Sequence, residues 1–501
     1  MNLKQMLTQS VKRYAGKTAI AMADQRLSYA QLDEASNKVA NTLLGMGVSK
    51  GDQVAMLLSN SPEFVTIYFG VVKIGGIAVP LDVRYRLDEL AFLFDNSQPK
   101  VLVSESSPLE TIVPALSRFS YIEHVIDLND KYEGQFHSYQ ELMAASSAPI
   151  AKVKVKPEDI AHVAYTSGPT VHPRGVMMSH QALVKEAAIS GKGFQQTDKD
   201  IVVLFALPMH HAFGLVVVML TAISKGSMVV MLPGLSIESL LELIEREKAT
   251  IFMGVPFVHT LIVGTAETEG IHHDLSSIRL WGTAGAVMPA NIRQKIRQYF
   301  GLDAIDFWGM TESAAHVTCQ SLNGAEKPGS VGKALPGWEL KIVDSNGRVL
   351  PPNQPGEIIV GGPIMKGYYT CPEATAEVIK DGWLYTGDIG RVDEDGELFL
   401  VGRNKDIIII KGQNVYPSDI EEVLYTHPKV AEAAVVGIPD ELRGETIRAF
   451  ICLKEGEVVT EPEIKLFCRQ HMADYKVPRE VVFTDSLPKT ADGKICKEDH
   501  K

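Results

Sequence analysis

Short, unbroken apolar runs alternate with amphipathic segments through the first three hundred residues, and this order restricts the chain more than any other feature. "QVAMLL" at 53–58 leads into "SPEFVTIYFGVVKIGG" and then "GIAVPL", a strand, helix, strand reading in which Ser61 caps the helix and Pro62 takes its first position. "LSYAQLDEASNKVANTLLGMG" spaces Leu32, Ala35, Val39 and Leu43 as one helical face, with Ser28 and Gln31 in capping-box positions and Gly45 and Gly47 where the helix stops. "PKVLVS", "SMVVMLP" before "SIESLLELIEREKA", and "TIFMGVP" repeat the alternation. Apolar runs with no polar face need cover on both sides, so the pattern predicts α/β architecture: parallel-rich sheets with covering helices.

From about residue 322 glycine and proline become dense and short strands follow one another ("WELKIVD", "GEIIVGG", "GELFLVG"), which predicts a small β-barrel-like subdomain over about 322–400. After "GRNKD" the segment "IIIIKGQNVYPSDIEEVLYTHPKVAEAAVVGIPD" reads strand, turn, helix capped by Ser418, strand. This places a large N-terminal domain at 1–403 and a small, mobile C-terminal α+β domain at 404–501. A chain of 501 residues exceeds one ordinary core, in agreement with that division.

A formal charge of −12 argues against a nucleic-acid footprint or an anionic membrane surface. Five cysteines, odd in number and without C-x-x-C spacing, suggest neither a disulfide framework nor a zinc site. The adjacent His210 and His211 are poor metal ligands for one ion. The longest apolar stretch is interrupted by Pro208 and these two histidines, so no membrane span is expected, and a reducing cytoplasm is the expected location.

"YTSGPTVHPRGVMMSH" at 165–180 lies between the apolar "IAHVAY" and the helix-like "SHQALVKEAAIS". Strand, turn and helix in this order let successive backbone N–H groups form an anion nest. The spacing is not that of a Walker loop, and by composition alone a polar surface turn is an equal reading.

The loop resembles the phosphate-binding motif of the AMP-forming adenylating superfamily, which includes acyl-CoA synthetases, aryl-CoA ligases and luciferases. "FWGMTE" at 307–312, "YTGD" at 385–388, "GRNKDIIIIKGQNVYPSDIEE" at 402–422 and "LPKTADGK" at 487–494 resemble four further motifs of that family, in the same order. The resemblance implies an ATP-dependent acid:CoA ligase that makes acyl-AMP and then acyl-CoA, with Mg2+ as cofactor and ATP and CoA as co-substrates. It implies that Thr166, Ser167, Gly168, Thr170 and Arg174 hold the phosphates. Gly285, Ala286, Val287, Asp306, Phe307 and Trp308 would flank adenine, and Asp388 and Arg403 the ribose. Thr311 would bind the α-phosphate, Glu312 the metal, and Lys494 would offset the repulsion between carboxylate and ATP in the first step. Lys405 stands at the hinge, Lys411 and Gly412 near the CoA arm, and His211, Phe213, Trp281, Gly309 and Asn414 at the acyl or adenylate pocket.

The phosphate loop departs from the family pattern. Pro169 replaces Thr, Val171 replaces Gly and Arg174 replaces Lys. These changes remove one backbone donor, oppose positive φ and exchange a compact ammonium for a planar fork. A lost donor to a charged group costs about 1.5–3 kcal/mol. Gly309 in place of a pocket-closing Trp, together with "FGLVVVML", predicts a medium- or long-chain fatty acid. Open alternatives are an aromatic or alicyclic acid, transfer to a carrier protein, and a degenerate nucleotide-binding homologue. The expected partners are the acid, ATP and CoA, with a homodimer left open.

Overall fold

A computed structural model describes all residues except 133, 148, 150, 151, 167–172, 287, 323–326, 404, 405, 407, 411, 412, 441–443, 473–475, 490–494 and 498–501, and only the backbone at 403, 409, 410, 413 and 414. The expected strands and helices of the first half are present. Gln53–Leu57, Ile77–Leu81 and Val101–Ser104 pair in parallel, with Pro62–Lys73 between the first two. Ser61 accepts from the Phe64 N–H and Ser28 forms the capping box with Gln31, so both helix starts are fixed by the residues that marked them.

These strands belong to an eight-stranded sheet that runs, by pairing, from Gly367–Tyr368 through Gly175–Ser179 and Ile160–Tyr165 to His137–Ser138. A nine-stranded sheet carries Met228–Leu232, Ile201–Phe205, Ile251–Gly254, Leu280–Thr283 and Ala304–Trp308 as parallel neighbours. One apolar core joins the facing sides of these two sheets, and each sheet packs a separate core on its other side. A five-stranded antiparallel sheet includes Glu339–Val343, Gly356–Gly361, Trp383–Val392 and Leu398–Arg403, which is the β-rich region expected from about residue 322. A fourth sheet, built from strands between Ile408 and Phe483, packs its own core with the helices Pro417–Thr426 and Glu461–His471.

Three local expectations are corrected. The phosphate-loop segment does not lead from strand to helix: Gly175–Ser179 returns antiparallel to Ile160–Tyr165, and the helix His180–Gly193 starts only afterwards. At about 3.3 Å per strand residue the helix start lies roughly 16 Å beyond the loop, so its dipole does not serve a ligand there. Ser418 does not cap its helix. Tyr416 is the residue before the first turn, Pro417 occupies that turn, and the Ser418 hydroxyl donates to the Val401 carbonyl. "FGLVVVML" forms a π-helix, Phe213–Leu220, whose residues from Gly214 onward are all buried in the core, so the apolarity of this segment is already explained by packing. Gly214 is required there, because a Cβ would lie 2.5 Å from the Pro208 carbonyl oxygen.

Candidate active site

Thr166 and Arg174 close the loop between the two hairpin strands: the Thr166 N–H donates to the Arg174 carbonyl at 3.1 Å. Gly367–Tyr368 adds to the hairpin edge, pairing Gly367 with Met177 and Tyr368 with Val176. The Arg174 guanidinium lies 5.2 Å from the centroid of the Tyr368 ring. The Tyr368 hydroxyl in turn donates to Glu312 Oε1 at 2.9 Å. A loop residue and the expected metal-binding carboxylate are thus joined through one tyrosine, whose hydroxyl is pushed to higher pKa by burial and by Glu312. Gly367 permits this approach: its φ is 136°, and a Cβ would lie 2.7 Å from Thr375 Cγ2. Glu312 is buried in the short 3-10 turn Thr311–Ser313, its own carbonyl accepting from the Met365 N–H at 2.8 Å.

Trp308 ends the strand Ala304–Trp308, and its indole Nε1 donates to Asp388 Oδ2 at 3.0 Å. Asp388 lies on Trp383–Val392 of the antiparallel sheet, opposite the backbone of Arg403. The bond therefore ties two sheets together at the point where the ribose and adenine groups were expected. One carboxylate oxygen of Asp388 accepts from the indole, and Trp308 is 7% exposed, so Trp308 fixes the orientation of Asp388. Asp306, two residues earlier, is buried and ion-paired with Arg293, while its N–H donates to Gln320 Oε1. Arg293 thus anchors its carboxylate to the helix Ala290–Phe300. Gly285 has φ 91° and is exposed with Ala286 just after the strand Leu280–Thr283.

The Phe307 side chain is the centre of an aromatic cluster. It meets Phe213 edge-on at 5.2 Å, Phe194 at 5.5 Å and His316 at 4.9 Å. Phe213, half-buried, is the member nearest the surface. His211 stands two residues earlier, its ring 4.3 Å from that of His210, and His210 Nε2 is 3.4 Å from Asp82, a buried carboxylate held far below its usual range despite burial by His210 and Arg84.

One acyl-pocket expectation fails here. Trp281 points to the opposite side of its sheet, buried against Phe252 and Phe300 with Nε1 donating to His259 Nδ1 at 2.9 Å. Alternation along the strand puts Gly282, not Trp281, on the Phe307 side, where an added Cβ would lie 3.3 Å from the Phe307 ring. At Gly309 a Cβ would lie 2.2 Å from the Ala315 carbonyl oxygen, so glycine here permits close backbone approach.

A buried polar chain was missed altogether. Trp338 Nε1 donates to Glu186 Oε2 at 2.8 Å, Ser190 Oγ donates to Glu186 Oε1 at 2.8 Å, and Ser190 Oγ and His316 Nδ1 are 2.8 Å apart. Burial pushes the Glu186 carboxyl up to about 8 and the His316 imidazole down to about 3. His316 Nε2 is buried without a hydrogen-bond partner among the described residues, a cost of about 1–3 kcal/mol for a polar group so placed. Glu186 and Ser190 one helical turn apart were visible in the sequence, but Trp338 and His316 are separated from them by more than a hundred residues.

Comparison with known families matches residues 7–369 to the AMP-binding enzyme model and residues 419–494 to the AMP-binding enzyme C-terminal domain. The chain belongs to the AMP-binding enzyme family. This AMP-binding enzyme is 33% identical to a long-chain-fatty-acid–CoA ligase of Bacillus subtilis (strain 168), over 99% of this chain and 93% of the relative. It is 36% identical to 4-coumarate–CoA ligase 3 of Oryza sativa subsp. japonica, over 94% and 86% respectively. Among solved structures it matches ATP-bound MatB from Rhodopseudomonas palustris with TM-score 0.91 and 30% identity, covering 100% of this chain and 98% of that one. The AMP-binding enzyme is an AMP-forming carboxylic acid:CoA ligase that uses ATP and CoA. Among its described residues no helix is long and apolar enough to cross a membrane, and no group of three or more His, Cys, Asp or Glu is placed to hold a metal ion. Ser167, Gly168, Thr170, Val287, Lys405, Lys411, Gly412 and Lys494, with the departures Pro169 and Val171, lie outside the described residues, as do the side chains of Arg403 and Asn414.

Proposed function

We propose that this ligase activates an acid with an apolar body, a medium- or long-chain fatty acid first and an aromatic acid second. The observation that carries the proposal is the apolar Phe213–Phe307–His316 cluster, open to the surface at the half-buried Phe213, on the strand whose last residue, Trp308, holds Asp388. The acid carboxylate attacks the α-phosphorus of ATP and pyrophosphate leaves; the CoA thiol then attacks the acyl carbon and AMP leaves. Thr311 and Arg174 bind phosphate oxygens, Asp388 with Arg403 holds the ribose, and Lys494 lies between the two anions that must meet in the first step.

Glu312 suits Mg2+ as its protein ligand: a hard cation bound to phosphates needs only one or two carboxylates, and the Tyr368 hydroxyl fixes one oxygen of this one. When bound, Mg2+ supplies charge neutralisation at the phosphates. Residues 1–403 form the adenylating domain, and 404–501 a lid that turns about Lys405 between the two steps. Three buried free cysteines and two partly buried ones suit a reducing cytoplasm.

ATP–pyrophosphate exchange over straight-chain acids from butyrate to palmitate and benzoate, followed by addition of CoA, tests the proposal. A clear optimum among the longer chains is expected. An optimum at butyrate refutes the substrate class, and silence across the panel refutes an active phosphate loop. Lys494→Ala should abolish exchange yet retain thioester formation from supplied acyl-AMP; equal loss of both steps removes that role.

A further inference from the structure

The helix Pro256–Thr268 buries Val258, Ile262 and Val263 in the core of the nine-stranded sheet but leaves Phe257, in its first turn, 39% exposed. A phenylalanine so placed forgoes much of the burial its neighbours obtain. The ring is met from the C-terminal domain: the Lys489 ammonium lies 5.1 Å from its centroid. Phe257 follows Gly254 by three residues, and Gly254 is the register partner of Thr283, so the ring stands at the end of the sheet from which Gly285 and Ala286 emerge.

Lys489 belongs to the stem of a closed turn. It bridges Ile495 in antiparallel fashion, and the Cys496 N–H donates to the Pro488 carbonyl at 2.8 Å. Leu487 and Ile495 anchor that stem in the small core of Val436, Phe450 and Cys452, and Lys489 is ion-paired with Glu432 at 2.5 Å. The stem is therefore part of the C-terminal sheet, and through Lys489 it touches the body of the molecule at Phe257. Lys494 immediately precedes the stem residue Ile495 in the sequence, so whatever holds the stem holds the point to which Lys494 is attached.

We propose that Phe257 is the docking post of the C-terminal domain in the adenylating step, where it holds Lys489 and so sets the stem from which Lys494 is presented. Phe257 touches no reactant and is a positioning residue that acts through Lys489. The inference rests on the reading of Lys494 as the cation of the first step and of residues 404–501 as a lid that turns before the second. A cation over a ring face serves such a post because the attraction is modest and needs no single hydrogen-bond direction, so the domain is registered without being locked. Release strands no charge, since Lys489 keeps Glu432 as its partner.

The two half-reactions, measured separately in the full-length enzyme, test this. The first is ATP–pyrophosphate exchange with the best acid of the panel from butyrate to palmitate and benzoate; the second is thioester formation from CoA and the chemically prepared adenylate of that acid. Phe257→Ala should lower exchange by about two- to fivefold, the range expected for a cation over an exposed ring, and leave thioester formation at the native rate or above it. Phe257→Trp, which keeps a ring face, should retain native exchange. Lys489→Gln should lower exchange to a similar degree and add little in the Phe257→Ala background, because both substitutions remove one contact. Exchange unchanged in Phe257→Ala, equal loss in both half-reactions, or fully additive losses in the double variant overturns the proposal, while native exchange that Lys494→Ala abolishes leaves the ligase reading intact. No exchange by the native enzyme with any acid overturns that reading, and this inference with it.

Discussion

Replacing Glu186 with glutamine should stabilise the protein, and by more at pH 9 than at pH 6. The side chain is fully buried, and its two hydrogen bonds come from neutral donors, Trp338 Nε1 and Ser190 Oγ, each at 2.8 Å. Neutral donors do not offset the loss of water around a carboxylate, and burial raises its pKa from 4.5 to about 8. The folded protein therefore keeps a proton up to about pH 8 that the unfolded chain releases near 4.5, so stability falls as pH rises through that window. At 1.36 kcal/mol per pKa unit the whole effect is bounded by about 5 kcal/mol, and the part between pH 6 and pH 8 by roughly 3 kcal/mol. Glu186→Gln cannot ionise, yet its amide can accept from Trp338 and donate to Ser190, which then donates to His316 Nδ1. Calorimetric melts of both proteins at pH 6 and pH 9, read on the transition that contains the large sheets, should show the gap in Tm widening by a few degrees at the higher pH. A gap that is constant or narrows with pH would mean that Glu186 stays ionised in the folded protein and that the burial argument is wrong.

Acid should destabilise the molecule from about pH 6.5 downward, well before ordinary carboxylates titrate. His162, His180, His259 and His316 are buried neutral with pKa values of about 3, 4, 4 and 3, so the unfolded state binds more protons as pH falls below 6.5; a urea midpoint flat from pH 7 to 4.5 would contradict this. Tyr368→Phe removes the donor to Glu312 Oε1, and a hydrogen bond to a charged group of about 1.5–3 kcal/mol implies a roughly 10–100-fold fall in pyrophosphate exchange and a higher Mg2+ requirement. Unchanged Mg2+ dependence would reduce Tyr368 to packing. Gly309→Ala should cost about 1–3 kcal/mol and most of the adenylating activity, since its Cβ collides with the Ala315 backbone rather than with a flexible side chain; an active variant with altered chain-length preference would instead place Gly309 at the acyl pocket.

What the sequence determined by itself was the set of local and motif-borne features. Capping at Ser28 and Ser61, the alternation of apolar runs with helices and the β-rich stretch after residue 322 depend on neighbours within a few positions, where propensity and periodicity act directly. The family was legible for the same reason: its motifs are contiguous, and each keeps its residues together whatever the rest of the chain does. Where the structure departs from expectation, the deciding partner is distant in sequence. Gly175–Ser179 reads as the approach to a helix until it is seen paired with Ile160–Tyr165 on one edge and Gly367–Tyr368 on the other. Trp281 and Gly282 exchange roles because strand alternation fixes which of two neighbours faces which core, and only the sheet's covering layers say which core is which. The Glu312–Tyr368 bond, the Trp308–Asp388 tie and the Glu186–Ser190–His316 chain join residues from separate sheets and turns. Burial alone makes them consequential, because a polar group removed from water must find its partner wherever the fold brings one, and no spacing along the chain records where that will be.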